Sequence, residues 1–195
     1  MNTLKNYVLY AILTAAAFGS CKEDVSFNPN IHNATATIDG EQWEATARAS
    51  MESVNNPMHL DPETDNYLRI ILKHDYPNSI DKESLHISLP ASTVTDCYEI
   101  NRRYIIGRYR NPGKEPYFFL FGIEWDAIRE EYTPDTARSE VSTICITSYS
   151  PDERVLEGTF DLYLKTADDF PYYDDANRPA TFSMIDGEFR AYFEE

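Results

Sequence analysis

The sequence predicts an all-β domain of roughly eight to ten antiparallel strands, closed as a barrel or layered as a two-sheet sandwich. Three observations carry that expectation. Apolar residues recur every second position in run after run. Turn-forming pairs separate the runs at hairpin intervals. No amphipathic helical pattern of any length persists between them.

The runs follow in order. Ala34 to Ile38 and Trp43 to Ala49 flank Asp39-Gly40, a pair that suits a two-residue hairpin. Tyr67 to Lys73 and Leu85 to Leu89 are rich in β-branched residues, with a turn expected over Ile80 to Ser84. Tyr104 to Tyr109 and Tyr117 to Trp125 lie on either side of Asn111-Pro112-Gly113. The second of these is apolar on both parities, as in a strand covered on two faces. Asp126 to Tyr132 has the composition of a short helix. Val141 to Thr147 leads to Ser150-Pro-Asp-Glu153, a turn before Leu156 to Lys165. There Leu156, Phe160, Leu162 and Leu164 share one parity, and Thr159, Asp161 and Lys165 the other. In Thr181 to Phe193, Asp186-Gly187 either turns a hairpin or sets a bulge in one long strand, since the apolar parity shifts between Met184 and Phe189.

The first 20 residues read as an export signal. Lys5 supplies the positive start, Tyr7 to Phe18 an apolar stretch of 12 residues, and Gly19-Ser20 the small pair before Cys21. Twelve residues fall short of the roughly 20 that a spanning helix requires. The domain organisation expected is a cleaved signal over 1–20, a tether over 21–33 that contains Pro29 and no sustained period, and one β domain over 34–195. The tether has a reach on the order of 20 Å.

Phe18-Gly-Ser-Cys21 resembles the lipobox of bacterial lipoproteins, and the resemblance implies an acylated Cys21 anchored in a membrane leaflet. Lys22-Glu23-Asp24 looks like the charged signal that sends Bacteroides-type lipoproteins to the cell surface. The expected location is therefore the outer membrane, facing outward, with a periplasmic face as the alternative. Thr37-Ile-Asp-Gly-Glu-Gln-Trp-Glu-Ala45, Tyr149 to Phe160 and Ile185-Asp-Gly-Glu-Phe189 together resemble an uncharacterised group of lipocalin-like lipoproteins of such bacteria. That resemblance implies an antiparallel lipocalin-like barrel and brings no catalytic residues. Asp135-Thr136-Ala137 is similar to their O-glycosylation site, which would place a glycan on Thr136.

Removing residues 1–20 leaves 175, enough for one domain that buries roughly 70% of its unfolded surface. The acids outnumber the bases, 33 to 17 over the whole chain, and a field of that sign repels nucleic acid. With Cys21 acylated, Cys97 and Cys145 remain. They form either one disulfide or two buried thiols. Glycines never cluster as a phosphate loop requires, and no nucleophile elbow or His-Glu-x-x-His motif occurs. The expectation is a protein that is not an enzyme and holds no cofactor. His59, Asp61, Glu63 and Asp65 alternate, but Pro62 and the missing glycine depart from calcium loops, so an exposed acidic loop is the reading and no metal is expected.

Aromatic residues are the one enriched class: 14 Tyr, 10 Phe and 2 Trp. Tyr98, Tyr104, Tyr109, Tyr117 and Trp125 fall on strands expected to be neighbours, and would line a cavity or stack on a sugar. Two functions follow. One is a lipid-anchored envelope binding module for a glycan, peptide or small apolar molecule. The other is an accessory subunit of an outer-membrane complex or adhesin, with a filled core and no ligand cavity.

Overall fold

A computed structural model describes residues 33–53, 66–76, 81–90, 95–100, 115–125, 127–168 and 178–193. These contain ten strands and no helix: β1 Ala34–Ile38, β2 Glu41–Ser53, β3 Asn66–Asp75, β4 Lys82–Pro90, β5 Cys97–Ile100, β6 Tyr117–Glu124, β7 Ala127–Pro134, β8 Ser142–Ser150, β9 Val155–Thr166 and β10 Thr181–Phe193. Eight strands close a barrel in the order β1, β2, β3, β4, β6, β7, β9, β10 and back to β1. The barrel, and not the sandwich, is the outcome. β8 pairs with the first half of β9, and β5 extends the sheet from β8. All neighbours are antiparallel except a two-residue contact in which the end of β10 runs parallel to β2.

Register places the apolar parity inside. Ala47 faces Leu72, Ala49 faces Ile70, Ile70 faces Ile87, and Ile87 faces Phe118 across successive strands. A slip of one residue would turn all of them to solvent, so burial enforces the pairing. Where β1, β2 and β10 crowd together, six interior side chains are alanines: Ala34, Ala36, Ala45, Ala47, Ala49 and Ala191. Phe118, Phe160, Phe182, Phe189 and a set of Leu and Ile residues complete the interior. Small residues set against large ones let the layers interdigitate at the density of a protein core. The lumen is filled by side chains.

Two glycines make room for two interior rings. Phe160 lies across from Gly187, and Phe189 across from Gly158. A Cβ on Gly158 would stand 2.4 Å from the Cys145 carbonyl oxygen and from Phe189, and a Cβ on Gly187 would stand 2.4 Å from Phe160. The register shift between Met184 and Gly187, with Asp186 at φ 52°, makes Asp186-Gly187 a bulge within one strand and not a hairpin. Cys97 and Cys145 sit directly opposite on β5 and β8 and are joined as a disulfide.

Two local expectations change. Residues 127–132 are strand and not a short helix, because β6 offers a ladder to Leu120–Glu124 that outweighs the helical preference of Ala, Arg and Glu. Lys82 to Ser84 begin β4, so the turn expected over Ile80 to Ser84 does not extend that far.

Candidate functional site

Among the described residues, three places bring polar or aromatic groups together: one barrel end, the outer face of β3, β4 and β6, and a groove at the other rim. At the first end, the parity that fills the lumen ends in Trp43, His74 and Glu83. Trp43 Nε1 donates to Glu83 Oε2 at 2.9 Å, and Arg178 donates to Glu83 through Nε at 2.8 Å and Nη2 at 3.1 Å. Glu83 is 1% exposed and Arg178 15%. Burial disfavours the Arg178 charge, yet the hydrogen bonds and charge of Glu83 outweigh it and strengthen the guanidinium's hold on its proton. Beside them the Tyr132 hydroxyl bonds Glu130 Oε2 at 3.0 Å. Burial, then the charge of Glu83, drives the Tyr76 hydroxyl toward its neutral form. His74 packs its ring between Trp43 and Tyr76. With an acid and a base matched across 95 residues of chain, their buried pair plugs this end among the described residues.

On the outer face, strand alternation aligns Glu52, Arg69, His86 and Ser84 across β2, β3 and β4. Arg69 Nη1 meets Glu52 Oε1 at 2.8 Å, Arg69 Nη2 meets His86 Nδ1 at 3.1 Å, and His86 Nε2 meets Ser84 Oγ at 2.8 Å. Tyr67 completes the row by donating to Glu52 Oε2. Burial raises the Glu52 carboxyl, but bonds from Tyr67 and Arg69 outweigh it and hold Glu52 below the ordinary range. Burial and the bond to Glu52 push the Tyr67 hydroxyl up. His86 stacks on Phe119 with centroids 4.9 Å apart and meets Phe121 edge-on.

This row contains a serine beside a histidine, which no linear motif revealed because the pairing depends on two same-face positions of one strand. The arrangement does not activate the serine. A guanidinium only donates, so Nδ1 of His86 accepts and its proton lies on Nε2. Nε2 then donates to Ser84 Oγ and cannot take the hydroxyl proton as a base would. Burial, then the charges of Arg69 and Lys73, lowers His86 to about 4 and keeps the ring neutral. His86 is half-buried in this network.

The third place is an open groove of about 670 Å³, lined by Ser50, Met51, Glu52, Tyr149, Pro151, Arg154 and Phe193. β2 supplies one wall. The β8–β9 turn and the end of β10 supply the other, tied together where Phe193 N donates to Arg154 O at 3.0 Å. Tyr149 and Phe193 meet edge-on at 5.5 Å. Met51 is 54% exposed. Rings, a thioether and both signs of charge therefore face one open space.

The three described members of the expected aromatic set do not come together. Tyr98 lies on β5 and packs against the core, Tyr117 lies on the outer face of β6 opposite Ser88, and Trp125 stands 72% exposed in the β6–β7 turn at φ 56°. β5 and β6 are separated in the sheet by β8, β9 and β7, so strands close in sequence are not neighbours. Tyr104, Tyr109, Cys21 and the loop with His59 lie outside the described residues. Thr136 sits in an exposed turn in which Ala137 N bonds Asp135 Oδ1, so its hydroxyl is accessible. Among the described residues no group of three or more His, Cys, Asp or Glu side chains is arranged to hold a metal ion. No protein-family model, curated protein or solved structure matches this chain.

Proposed function

We propose that this chain is a lipid-anchored envelope binding module, acylated at Cys21 and facing the cell exterior, that takes its ligand in the groove at the barrel rim. The observation that carries this reading is a contrast between two spaces. Apolar side chains fill the lumen and a salt bridge plugs one end, whereas the groove stays open. An elongated glycan or peptide fits the groove: Tyr149 and Phe193 bring aromatic rings to its lining, and Glu52 and Arg154 bring charge of both signs.

Binding of the purified full chain to glycan and peptide arrays tests the reading. Replacing Tyr149→Ala removes a ring from the groove lining and is expected to weaken binding by roughly tenfold or more. Binding that Tyr149→Ala leaves untouched would sink the groove. Mass spectrometry of the N-terminal peptide tests the anchor separately, since an unmodified Cys21 contradicts it. The filled lumen also suits the second reading, an accessory subunit of an outer-membrane assembly. Cross-linking in intact envelopes distinguishes the two, because a subunit yields one stoichiometric protein partner and a ligand-binding module does not.

A further inference from the structure

We propose that the Cys97–Cys145 disulfide is a redox latch that holds β5 as a removable cover on β8, so that reduction by an external dithiol frees β5 while the barrel stays closed. The proposal starts from where the bond sits in the fold. Eight strands close the ring by pairing with one another, and neither β5 nor β8 is among them. β8 is held on its own account by a ladder to β9 that runs from Thr143 opposite Asp161 to Ser150 opposite Val155. β5 is the last strand of the sheet, and among the described strands its partner is β8, over Cys97 to Ile100. The bond therefore locks an appended strand and not the ring.

Little else fastens β5. Cys97 and Glu99 are exposed, whereas Ile100 is buried and Tyr98 packs partly against the core. One residue before the bond, Ile146 N donates to Asp96 O at 2.9 Å, while the Cys97 amide turns back to Asp96 Oδ1 at 2.8 Å. A short edge strand with so small a buried share opens at low cost once its crosslink is gone.

The latch is also within reach of a reductant. Ile144 and Ile146 are buried, so Cys145 between them lies on the outer parity, and Cys97 opposite it is exposed. A thiolate of the dithiol attacks Cys97 Sγ, the bond between the two Sγ atoms breaks, and Cys145 leaves as a thiolate that takes a proton. The second thiol then gives up its proton and attacks the sulfur of the first. Cys97 leaves as a thiol, and the reductant departs as a cyclic disulfide, having passed two electrons to the protein. Release of β5 uncovers the β8 edge from Ser142 to Cys145. Tyr149 of the groove lies at the far end of the same strand, so the latch does not depend on the function proposed above.

Dithiothreitol added to the native full chain tests it. Alkylation followed by peptide mass measurement is expected to find Cys97 and Cys145 reduced without denaturant. Amides of residues 97–100 are then expected to exchange roughly tenfold or more faster than in the oxidised chain, while β2, β3 and β4 stay protected. Removing the reductant in air should restore the slow rate. A disulfide that resists dithiothreitol until urea unfolds the chain overturns the proposal. So does a reduced chain in which residues 97–100 keep their protection, because the bond is then a staple on a strand that stays in place. Collapse of protection in β2, β3 and β4 on reduction overturns it as well, since the bond would then be holding the ring itself.

Discussion

Trp43 and Glu83, 40 residues apart in the chain, share a buried hydrogen bond of 2.9 Å that ties β2 to β4 at the plugged end of the barrel. Glu83 also carries the two bonds from Arg178, so three donors converge on one carboxylate. This geometry has an energetic consequence. Glu83→Ala leaves a largely buried guanidinium without its anion and is predicted to cost about 3–5 kcal/mol of stability. The double change Glu83→Leu with Arg178→Met removes both charges and is predicted to recover most of that loss. Urea unfolding of the two variants checks the pair; equal destabilisation in both would contradict it.

Gly158 is predicted to resist even the smallest side chain. Its Cβ would meet a backbone oxygen, that of Cys145, as well as the Phe189 ring. The ring has limited room to move and the carbonyl is held in the β8–β9 ladder. Gly158→Ala is expected to cost roughly 1–3 kcal/mol through overpacking. Its unfolding midpoint should fall, whereas substituting an exposed position such as Thr159→Ala should change it little.

The disulfide closes a loop with a sequence separation of 48 between β5 and β8. Loop-closure entropy assigns such a crosslink about 4 kcal/mol. Cys97→Ser with Cys145→Ser should lower stability by that order and expose β5 first, since β8 is its neighbour among the described strands. Amide exchange of residues 97–100 should rise while β2, β3 and β4 stay protected.

Acid should weaken the fold through His86. Its value is about 4 in the folded state against 6.5 for a free histidine. As pH falls from 6.5 toward 4, the unfolded chain takes up a proton that the native network refuses, so stability declines across that window and is complete above it. Glu52, held below 4.5, adds its own loss only at lower pH. His86→Gln should flatten the dependence between pH 6.5 and 4 in denaturant titrations. An unchanged slope in that variant would refute the tautomer and the network that imposes it.

Much of the barrel was legible in local pattern. In β9 the alternation of Leu156, Phe160, Leu162 and Leu164 against Thr159, Asp161 and Lys165 stated both the element and its buried side, because a half-buried strand needs no distant information to reveal its period. Asp39-Gly40 located the first hairpin for a similar reason: Asp39 adopts φ 50° and Gly40 φ 85°, a demand of the turn itself. β7 was less legible, since Ala127 to Tyr132 has helical composition and becomes a strand only when β6 is beside it.

The candidate site was hidden for a related reason. Met51, Glu52, Tyr149, Arg154 and Phe193 come from three separated stretches, and none is unusual in its own neighbourhood. Ser84 and His86 are two residues apart, but their meeting with Arg69 and Glu52 depends on strand registers that no motif encodes.

What the sequence determined by itself was the material of the fold: alternating strands, their turns, and an acidic surface, all consequences of residue type within a few positions. The tertiary structure decided closure into a barrel, the order that separates β5 from β6, the Glu83–Arg178 plug and the open rim. Each of these depends on which distant strands become neighbours, and that choice is made by packing the whole core at once, with small side chains where β1, β2 and β10 crowd and large rings where glycines leave room.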